Sequence, residues 1–178
     1  MIRTQNMMKL ALASCVVRSW SWKDRDSLVY HANNRNIWLN LRDRFPHPYT
    51  HNDARIWLEM VVGSKPDTNF AIALNDEAIG GIGFSMQADV LYRSAEIGYW
   101  LGEEFWGRGL ATEALAAVSD YAFASFDLCR LYAHVFDWNP ASARVLEKAG
   151  YTYEGRLVKS VTKDGKTIDQ LMYAKTVD

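Results

Sequence analysis

Apolar positions recur at helical intervals in four stretches of the chain. The spacing is clearest between Gly109 and Phe126, where it predicts an amphipathic helix of about 18 residues. Asn139 at the N-cap, Pro140 at the first helical position and Gly150 after the last turn predict a shorter helix with well-marked ends. The expected helices, in chain order, are 24–33, a helix that begins at Thr50, 109–126 and 140–149.

Other stretches carry short apolar runs or alternate between apolar and polar residues, which predicts strands. Residues 95–101 place Glu96 and Gly98 on one face and apolar side chains on the other, with the two-residue period of a strand. Turn signals at 75–77 and at 164–165 predict two hairpins. The expected strands, in chain order, are 13–18, 70–74, 78–86, 95–101, 131–136, 151–158 and 168–174.

The order of these elements, β-α-α-β-β-β-α-β-α-β-β, indicates an α+β fold with a mixed, mostly antiparallel sheet. The prediction is about seven strands and about four helices, counted from the hydrophobic periodicity. The segment between Asn36 and Tyr49 is expected to be irregular, because Pro46 and Pro48 exclude a helix there. Since neither repeats nor a low-complexity linker interrupts the chain, we expect residues 1–178 to form one domain.

Composition and charge exclude several classes of protein. The 178 residues carry 20 Lys and Arg against 21 Asp and Glu, a net charge of −1, so bulk charge does not favour nucleic acid. No apolar run approaches the roughly 18 residues of a membrane span, and the run before Cys15 is too short for a signal peptide. Cys15 and Cys129 are too few for a disulfide framework. We expect a cytoplasmic protein without a nucleic-acid or membrane partner.

A glycine-containing loop at residues 106–112 joins the strand 95–101 to the long helix. Gly107 and Gly109 allow the backbone to turn sharply and to approach a ligand, and the free N–H groups of the helix's first turn point to the same place. The loop lacks the Gly-Lys-Ser/Thr of a Walker A motif and the third glycine of a dinucleotide fingerprint. On the residues alone, it is either a phosphate cradle or a plain tight turn.

Several segments of the chain, taken together, are more specific than the glycine-containing loop alone. They are, in chain order, Arg18-Ser19-Trp20, Phe45-Pro46-His47-Pro48-Tyr49-Thr50, the strand 95–101, the run 106–114, Asn139-Pro140-Ala141-Ser142 and the run 146–151. Through these segments nearly the whole chain resembles the GNAT (Gcn5-related N-acetyltransferase) superfamily, and within it the branch of the ribosomal-protein N-terminal acetyltransferases RimJ and RimL. The family's pyrophosphate loop reads Gln/Arg-x-x-Gly-x-Gly/Ala; here Gly109 and Ala111 fill its last positions and Trp106 its first.

The resemblance implies the GNAT fold, whose central strands splay apart, with acetyl-CoA bound between the strands 95–101 and 131–136. The pantetheine arm would run along the first strand and the pyrophosphate would lie at the glycine loop. Arg144, with Lys148 on the same helix face, would meet the 3′-phosphate of CoA or else remain solvated. The cofactor-binding residues expected from the resemblance are Tyr99, Trp100, Leu101, Trp106, Gly107, Arg108, Gly109, Leu110, Ala111, Thr112, Asn139 and Arg144.

Acetyl transfer to an amine requires an unprotonated amine and a proton for the departing thiolate. By its match to the family, Glu96 is expected to be the base, directly or through water, or else to pair with a surface arginine. Ser142 is expected to protonate the thiolate, unless it is an ordinary first-turn serine. Trp38 and Tyr49 are expected to shape the acceptor side, or else to pack in the core or a lid.

No metal is expected at His47, His51 and Asp53, because Pro48 and the helix start account for that segment. The resemblance implies an acetyl-CoA-dependent N-acetyltransferase that acts on a primary amine, first of all the N-terminal α-amine of a ribosomal or other protein. Roughly 15% of such an amine is free at pH 7, against less than about 0.1% for lysine. Two alternatives stay open: a small-molecule acceptor such as a polyamine, amino acid or antibiotic, and a non-catalytic acetyl-CoA-binding module. A homodimer is also compatible with the resemblance.

Overall fold

The computed structural model describes residues 8–178, so residues 1–7 of the predicted domain lie outside the described residues. Over the described residues, eight strands and five α-helices follow one another in the order ββαααβββαβαββ. The strands are β1 Lys9–Ala11, β2 Val16–Ser19, β3 Asn69–Leu74, β4 Glu77–Met86, β5 Ser94–Leu101, β6 Arg130–Phe136, β7 Thr152–Lys163 and β8 Lys166–Thr176. The helices are α1 Arg25–Ala32, α2 Arg35–Trp38, α3 His51–Val61, α4 Leu110–Ser125 and α5 Pro140–Lys148.

One mixed sheet contains all eight strands in the order β1-β2-β3-β4-β5-β6-β8-β7. Neighbouring strands are antiparallel except for β5 and β6, which run parallel. These two strands pair through three residue pairs only, the last of which joins Glu96 to Tyr132. Both continue farther, β5 to Leu101 and β6 to Phe136, and are no longer paired with each other. The splayed central strands that the family resemblance implies are therefore confirmed.

Different helices cover the two faces of the sheet. On one face, Leu115 of α4 is fully buried against a core that includes Ile97 of β5. On the other face, Leu28 of α1 and Leu58 of α3 form a second core, against which Trp100 packs. Because side chains alternate along a strand, β5 contributes Ile97 to one core and Trp100 to the other. Side chains of β5 thus reach both faces of the sheet, so both faces can contribute residues to a site beside this strand.

Local signals place the helix ends as predicted. Thr50 caps α3 in a capping box with Asp53. The Asn139 side chain caps α5 by accepting a hydrogen bond from the backbone N–H of Ser142 at 3.2 Å. Gly150, just beyond α5, has a φ of +88°, the left-handed conformation that ends many helices.

The structure differs from the predicted elements in three places. The expected strand 13–18 is observed as β2, which starts later, and the additional short strand β1 precedes it. The expected irregular segment begins with α2, because Asn34 caps a single helical turn that ends at Trp38, well before the prolines. The strand β7 continues to Lys163 instead of ending at Val158. These differences give one strand and one helix more than predicted.

No α-helix within residues 8–178 is long and apolar enough to cross a membrane.

Candidate active site

The separation of β5 and β6 opens a cavity of about 1010 Å³. It extends from the first turn of α4, along β5 and the start of α5, to the connection between α2 and α3. The predicted site residues on its wall are Tyr49, Glu96, Tyr99, Trp100, Leu101, Trp106, Gly107, Gly109, Leu110, Ala111, Thr112, Asn139, Ser142 and Arg144. Trp38 and Arg108 are not part of this wall.

At one end of the cavity, the loop before α4 has the geometry of an anion site. Gly107 and Gly109 have φ values of +74° and +81°, and a Cβ atom built on either would lie more than 4 Å from every described residue other than its chain neighbours. Gly109 stands at the N-cap of α4, so no N-cap side chain satisfies the first-turn N–H groups of this 16-residue helix within the described residues. Open space, free N–H groups and the positive end of the helix dipole together fit the phosphates of CoA.

Neighbouring side chains hold this loop in place. The Trp106 indole Nε1 donates a hydrogen bond to the Leu101 carbonyl at 2.7 Å, which ties the loop to the end of β5. Arg108 does not face the cavity but lies over the Phe105 ring, 5.4 Å from its centroid. The Glu103 carboxylate accepts hydrogen bonds from side-chain amides at the start of α2. Trp106 therefore anchors the loop in the family's Gln/Arg position, while backbone groups remain available for a ligand.

On the α4 face of β5, two hydroxyl groups meet at the start of α5. Tyr99 Oη lies 2.9 Å from Ser142 Oγ and 3.1 Å from the Ser142 carbonyl oxygen. Burial raises the pKa of Tyr99 well above its ordinary value, so this phenol stays protonated at neutral pH. The structure thus places Ser142 in a hydroxyl pair on the cavity wall, and the predicted capping role of Asn139 fixes the turn that carries it.

Glu96 lies on the opposite face of β5. Its Oε1 atom contacts the Arg42 guanidinium and lies 3.1 Å from His134 Nδ1. The hydrogen bond from His134, and then the charges of Arg42 and Arg44, hold the pKa of the Glu96 carboxyl below its ordinary value. Glu96 is therefore an ionised carboxylate at neutral pH. It lines the cavity and pairs with Arg42, so the arginine pairing that the sequence left open is present in the structure.

Arg42 and His134 are site residues that the sequence analysis did not single out. Both line the cavity, and both contact Glu96. The alternation of β6 contained a signal for His134, because this polar residue interrupts the apolar side chains of a strand predicted beside the cofactor. Nothing in the sequence distinguished Arg42, whose contact with Glu96 spans 54 positions of the chain.

The two predicted acceptor-side aromatics lie in different surroundings. Tyr49 is 5% exposed and stacks at 5.0 Å on Phe45 in the second core, while it also lines the cavity. Trp38 is turned toward the β7–β8 hairpin, with the Lys163 ammonium 3.6 Å from its ring centroid. Lys163 also pairs with Asp43 at 2.6 Å. Trp38 therefore links α2 to the hairpin and has the packing role that the sequence left open.

Residues 8–178 include no group of three His, Cys, Asp or Glu side chains placed to hold a metal ion.

Comparison with known proteins places this geometry in a family. Residues 15–152 match the model of the acetyltransferase (GNAT) domain. The chain belongs to this family. The structure resembles that of Mycobacterium smegmatis RimJ in complex with a CoA disulfide, with a TM-score of 0.79 and 26% identity over 96% of this chain and 86% of that chain. The predicted GNAT fold is thereby confirmed.

Two named relatives of this GNAT domain differ in acceptor. The ribosomal-protein-serine acetyltransferase of Escherichia coli is 34% identical over 61% of this chain and 60% of the relative. The spermidine N(1)-acetyltransferase of Vibrio cholerae is 27% identical over 77% of this chain and 78% of the relative. Bacillus N-acetyltransferases match at 38% to 40% identity, and the match spans only a little over half of their length. The similarities to RimJ and to the E. coli enzyme agree with the predicted RimJ/RimL-like branch.

Proposed function

We propose that the protein is an acetyl-CoA-dependent N-acetyltransferase that transfers the acetyl group directly to the N-terminal α-amine of a protein. The observation that carries this proposal is the open slot between β5 and β6, which leads from an uncapped helix N-terminus to polar side chains on both faces of the sheet. The thioester of bound acetyl-CoA supplies an activated acyl group to this slot.

The chain's own groups fit each part of the cofactor. The N–H groups around Gly107, Gly109 and Ala111 would hold the pyrophosphate, as the open space at both glycines allows. The edge of β5 from Tyr99 to Leu101 faces the slot without pairing to β6, so its backbone can pair with the pantetheine arm. Arg144, exposed on the cavity wall, would reach the 3′-phosphate.

Two groups of residues on opposite faces of β5 would handle the protons. On the α4 face, the Ser142 hydroxyl, held next to the neutral Tyr99 hydroxyl, would donate a proton to the departing thiolate and regain one from solvent. A backbone N–H near Tyr99 would polarise the thioester carbonyl. On the other face, ionised Glu96 lies where the acceptor amine would enter.

The charge of the acceptor side favours a protein N-terminus over a polyamine. The wall carries Arg42 and Arg44 against two carboxylates, Glu96 and Asp53. Glu96 is paired with Arg42, and Asp53 is held in its capping box. A polycation requires an excess of negative charge that this wall does not offer. An α-amine also has a lower pKa than a lysine side chain, so a larger fraction of it is unprotonated at neutral pH.

Thermal unfolding with acetyl-CoA, desulfo-CoA and ATP tests the cofactor part. Ligand at about 100 times its Kd adds roughly 2.7 kcal/mol to the folded state. For a domain of this size that raises Tm by about 5–10 °C. We expect this shift with both CoA compounds and not with ATP. Absence of a shift at millimolar ligand would refute the cofactor site.

Release of CoA thiol with a set of acceptors tests the acceptor part. The acceptors are peptides beginning with Ser or Ala, the same peptides with acetylated N-termini and one internal lysine, and spermidine. We expect turnover with the free N-termini and none with the blocked peptides. If spermidine is the preferred acceptor, the assignment of a protein N-terminus as acceptor is wrong, and the assignment as an acetyl-CoA-dependent N-acetyltransferase stands. Binding of acetyl-CoA without turnover of any acceptor would favour a non-catalytic binding module.

A further inference from the structure

His134 occupies a distinctive position on β6. The last residue of β6 that pairs with β5 is Tyr132, opposite Glu96. Continuing that register would place His134 opposite Gly98, but there the two strands have separated. A Cβ built on Gly98 would meet no atom of residues 8–178 within 4 Å, apart from its chain neighbours. The imidazole therefore borders the slot at the point where the opposite strand leaves open space, on the same face as Glu96.

The contact with Glu96 fixes which ring nitrogen of His134 carries a proton. An ionised carboxylate can only accept hydrogen bonds, and Glu96 Oε1 lies 3.1 Å from His134 Nδ1. Nδ1 must therefore be the protonated nitrogen, and Nε2 of the neutral ring carries a lone pair. Within the described residues, His134 Nε2 has no hydrogen-bond partner of its own. The side chains of Glu96 and His134 are 22% and 17% exposed, so the pair is largely shielded from solvent.

We propose that His134 Nε2 accepts the proton of the acceptor amine, and that Glu96 is a positioning residue that orients the imidazole. This inference rests on the proposed function and assigns the proton transfer to a different residue from the one the family resemblance suggested. The acceptor nitrogen forms a bond to the acetyl carbon, and the bond from that carbon to sulfur breaks. The nitrogen loses one proton to Nε2, and the sulfur gains one from Ser142. His134 then releases its proton to solvent.

The other charged and titratable groups around the ring agree with this arrangement. Arg42, from the connection between α2 and α3, contacts the same Glu96 oxygen, and Arg44 from that connection adds positive charge nearby. On β6 itself, the Tyr132 ring stands edge-on to His134 at 5.6 Å. The hydrogen bond from His134, and then the charges of Arg42 and Arg44, lower the pKa of the Glu96 carboxyl, which makes Glu96 a poor direct base and a good acceptor for the Nδ1 hydrogen bond.

A double-mutant cycle with Glu96→Gln and His134→Ala separates the two assignments. We expect His134→Ala to lower kcat by roughly 10² to 10⁴-fold, the usual contribution of a general base, while the Kd for acetyl-CoA is unchanged. In the parent protein, Glu96→Gln should lower kcat at least tenfold, because the His134 ring loses its preferred tautomer. In the His134→Ala background, the same substitution should have little further effect on kcat. If Glu96 were the direct base, Glu96→Gln would cost more than His134→Ala and would still lower kcat beside His134→Ala, and that result would overturn the proposal.

Added imidazole provides a readout that a merely structural role would not affect. It should restore part of the His134→Ala rate in proportion to its concentration, and it should not affect Glu96→Gln. His51→Ala is the matched control, because His51 is an exposed histidine that also faces a carboxylate, Asp26, at 3.7 Å. We expect the control to keep the parent rate. Full activity of His134→Ala without imidazole would refute the inference.

Nitrogen-15 NMR of the histidine rings tests the positioning role without turnover. In the parent protein, His134 should show the Nδ1-protonated tautomer, and Glu96→Gln should shift it toward the Nε2-protonated tautomer. An Nε2-protonated ring in the parent protein would overturn the proposal. If the parent protein binds acetyl-CoA but turns over none of the acceptors, the proposed function fails. If it turns them over and His134→Ala does so equally well, only this inference fails.

Discussion

The substitution Gly109→Ala tests the phosphate site most directly. Gly109 has a φ of +81°, and its added methyl group would lie more than 4 Å from the described part of the chain beyond its immediate neighbours. The cost to the empty protein is therefore conformational alone, about 1–2 kcal/mol for a left-handed residue with a side chain. In a protein of 178 residues this lowers Tm by roughly 2–8 °C. The same methyl group would occupy the space next to the first-turn N–H groups of α4.

The expected effect on ligand binding is much larger than that on Tm. A phosphate displaced from one or two N–H groups loses roughly 3 kcal/mol of charge-assisted hydrogen bonding, which raises Kd by about 150-fold. At a concentration of acetyl-CoA about 100 times the parent Kd, the stabilisation falls from roughly 2.7 to about 0.3 kcal/mol. The ligand-induced rise in Tm should then shrink to about 1 °C, which differential scanning fluorimetry resolves.

Gly63→Ala is the matched control for this experiment. Gly63 follows α3, has a φ of +79° and does not line the cavity. A Cβ built on it would meet none of the described residues within 4 Å except its chain neighbours. Its substitution should lower the Tm of the empty protein by a similar amount and leave the acetyl-CoA shift intact. A full shift in Gly109→Ala would refute the phosphate site at α4. Loss of the shift in both variants would mean that strain alone weakens binding.

Two further predictions concern the opposite faces of β5. Ser142→Ala should lower kcat by at least about tenfold, as loss of a proton donor does. The Kd for acetyl-CoA, measured by calorimetry, should be unchanged. If instead the Kd changes and kcat does not, Ser142 is a binding residue only. The second concerns pH, since His134 and Arg42 hold the pKa of the Glu96 carboxyl below its ordinary value of 4.5. A lowered pKa stabilises the fold at pH values above the ordinary value, and this stability is lost as pH falls through the lowered pKa. The difference in unfolding free energy between the parent and Glu96→Gln should therefore be largest near neutral pH and decrease in acid; a difference independent of pH would contradict this.

Elements with local signals could be predicted from the sequence. The helix α5 was expected over 140–149 and is observed over Pro140–Lys148, because its cap, its first-turn proline and its terminal glycine all lie within or next to it. The helix α2 was missed because one turn of four residues has no periodicity to detect. Asn34 also did not indicate the start of α2, because an asparagine that ends one helix cannot be distinguished in the sequence from one that caps the next helix.

The same distinction applies to the site. The loop at 106–112 is contiguous, so its glycines and the helix behind it could be interpreted together. The cluster of Glu96, Arg42 and His134 depends on the order of strands and on the course of the α2–α3 connection, and its members are 38 and 54 positions apart from Glu96. Sequence spacing carries no information about such contacts, so only the three-dimensional structure brings these residues together.

The short pairing of β5 with β6 has a consequence for the lifetime of the protein. Among the described strands, β1 to β5 form one half of the sheet and β6 to β8 the other, and the strand pairing between the two halves consists of three residue pairs. A ligand that pairs with the free edge of β5 would add to the cohesion between the halves, so that the unfolding free energy rises with ligand concentration. We therefore expect resistance to proteolysis, and with it steady-state abundance in the cell, to follow the supply of acetyl-CoA.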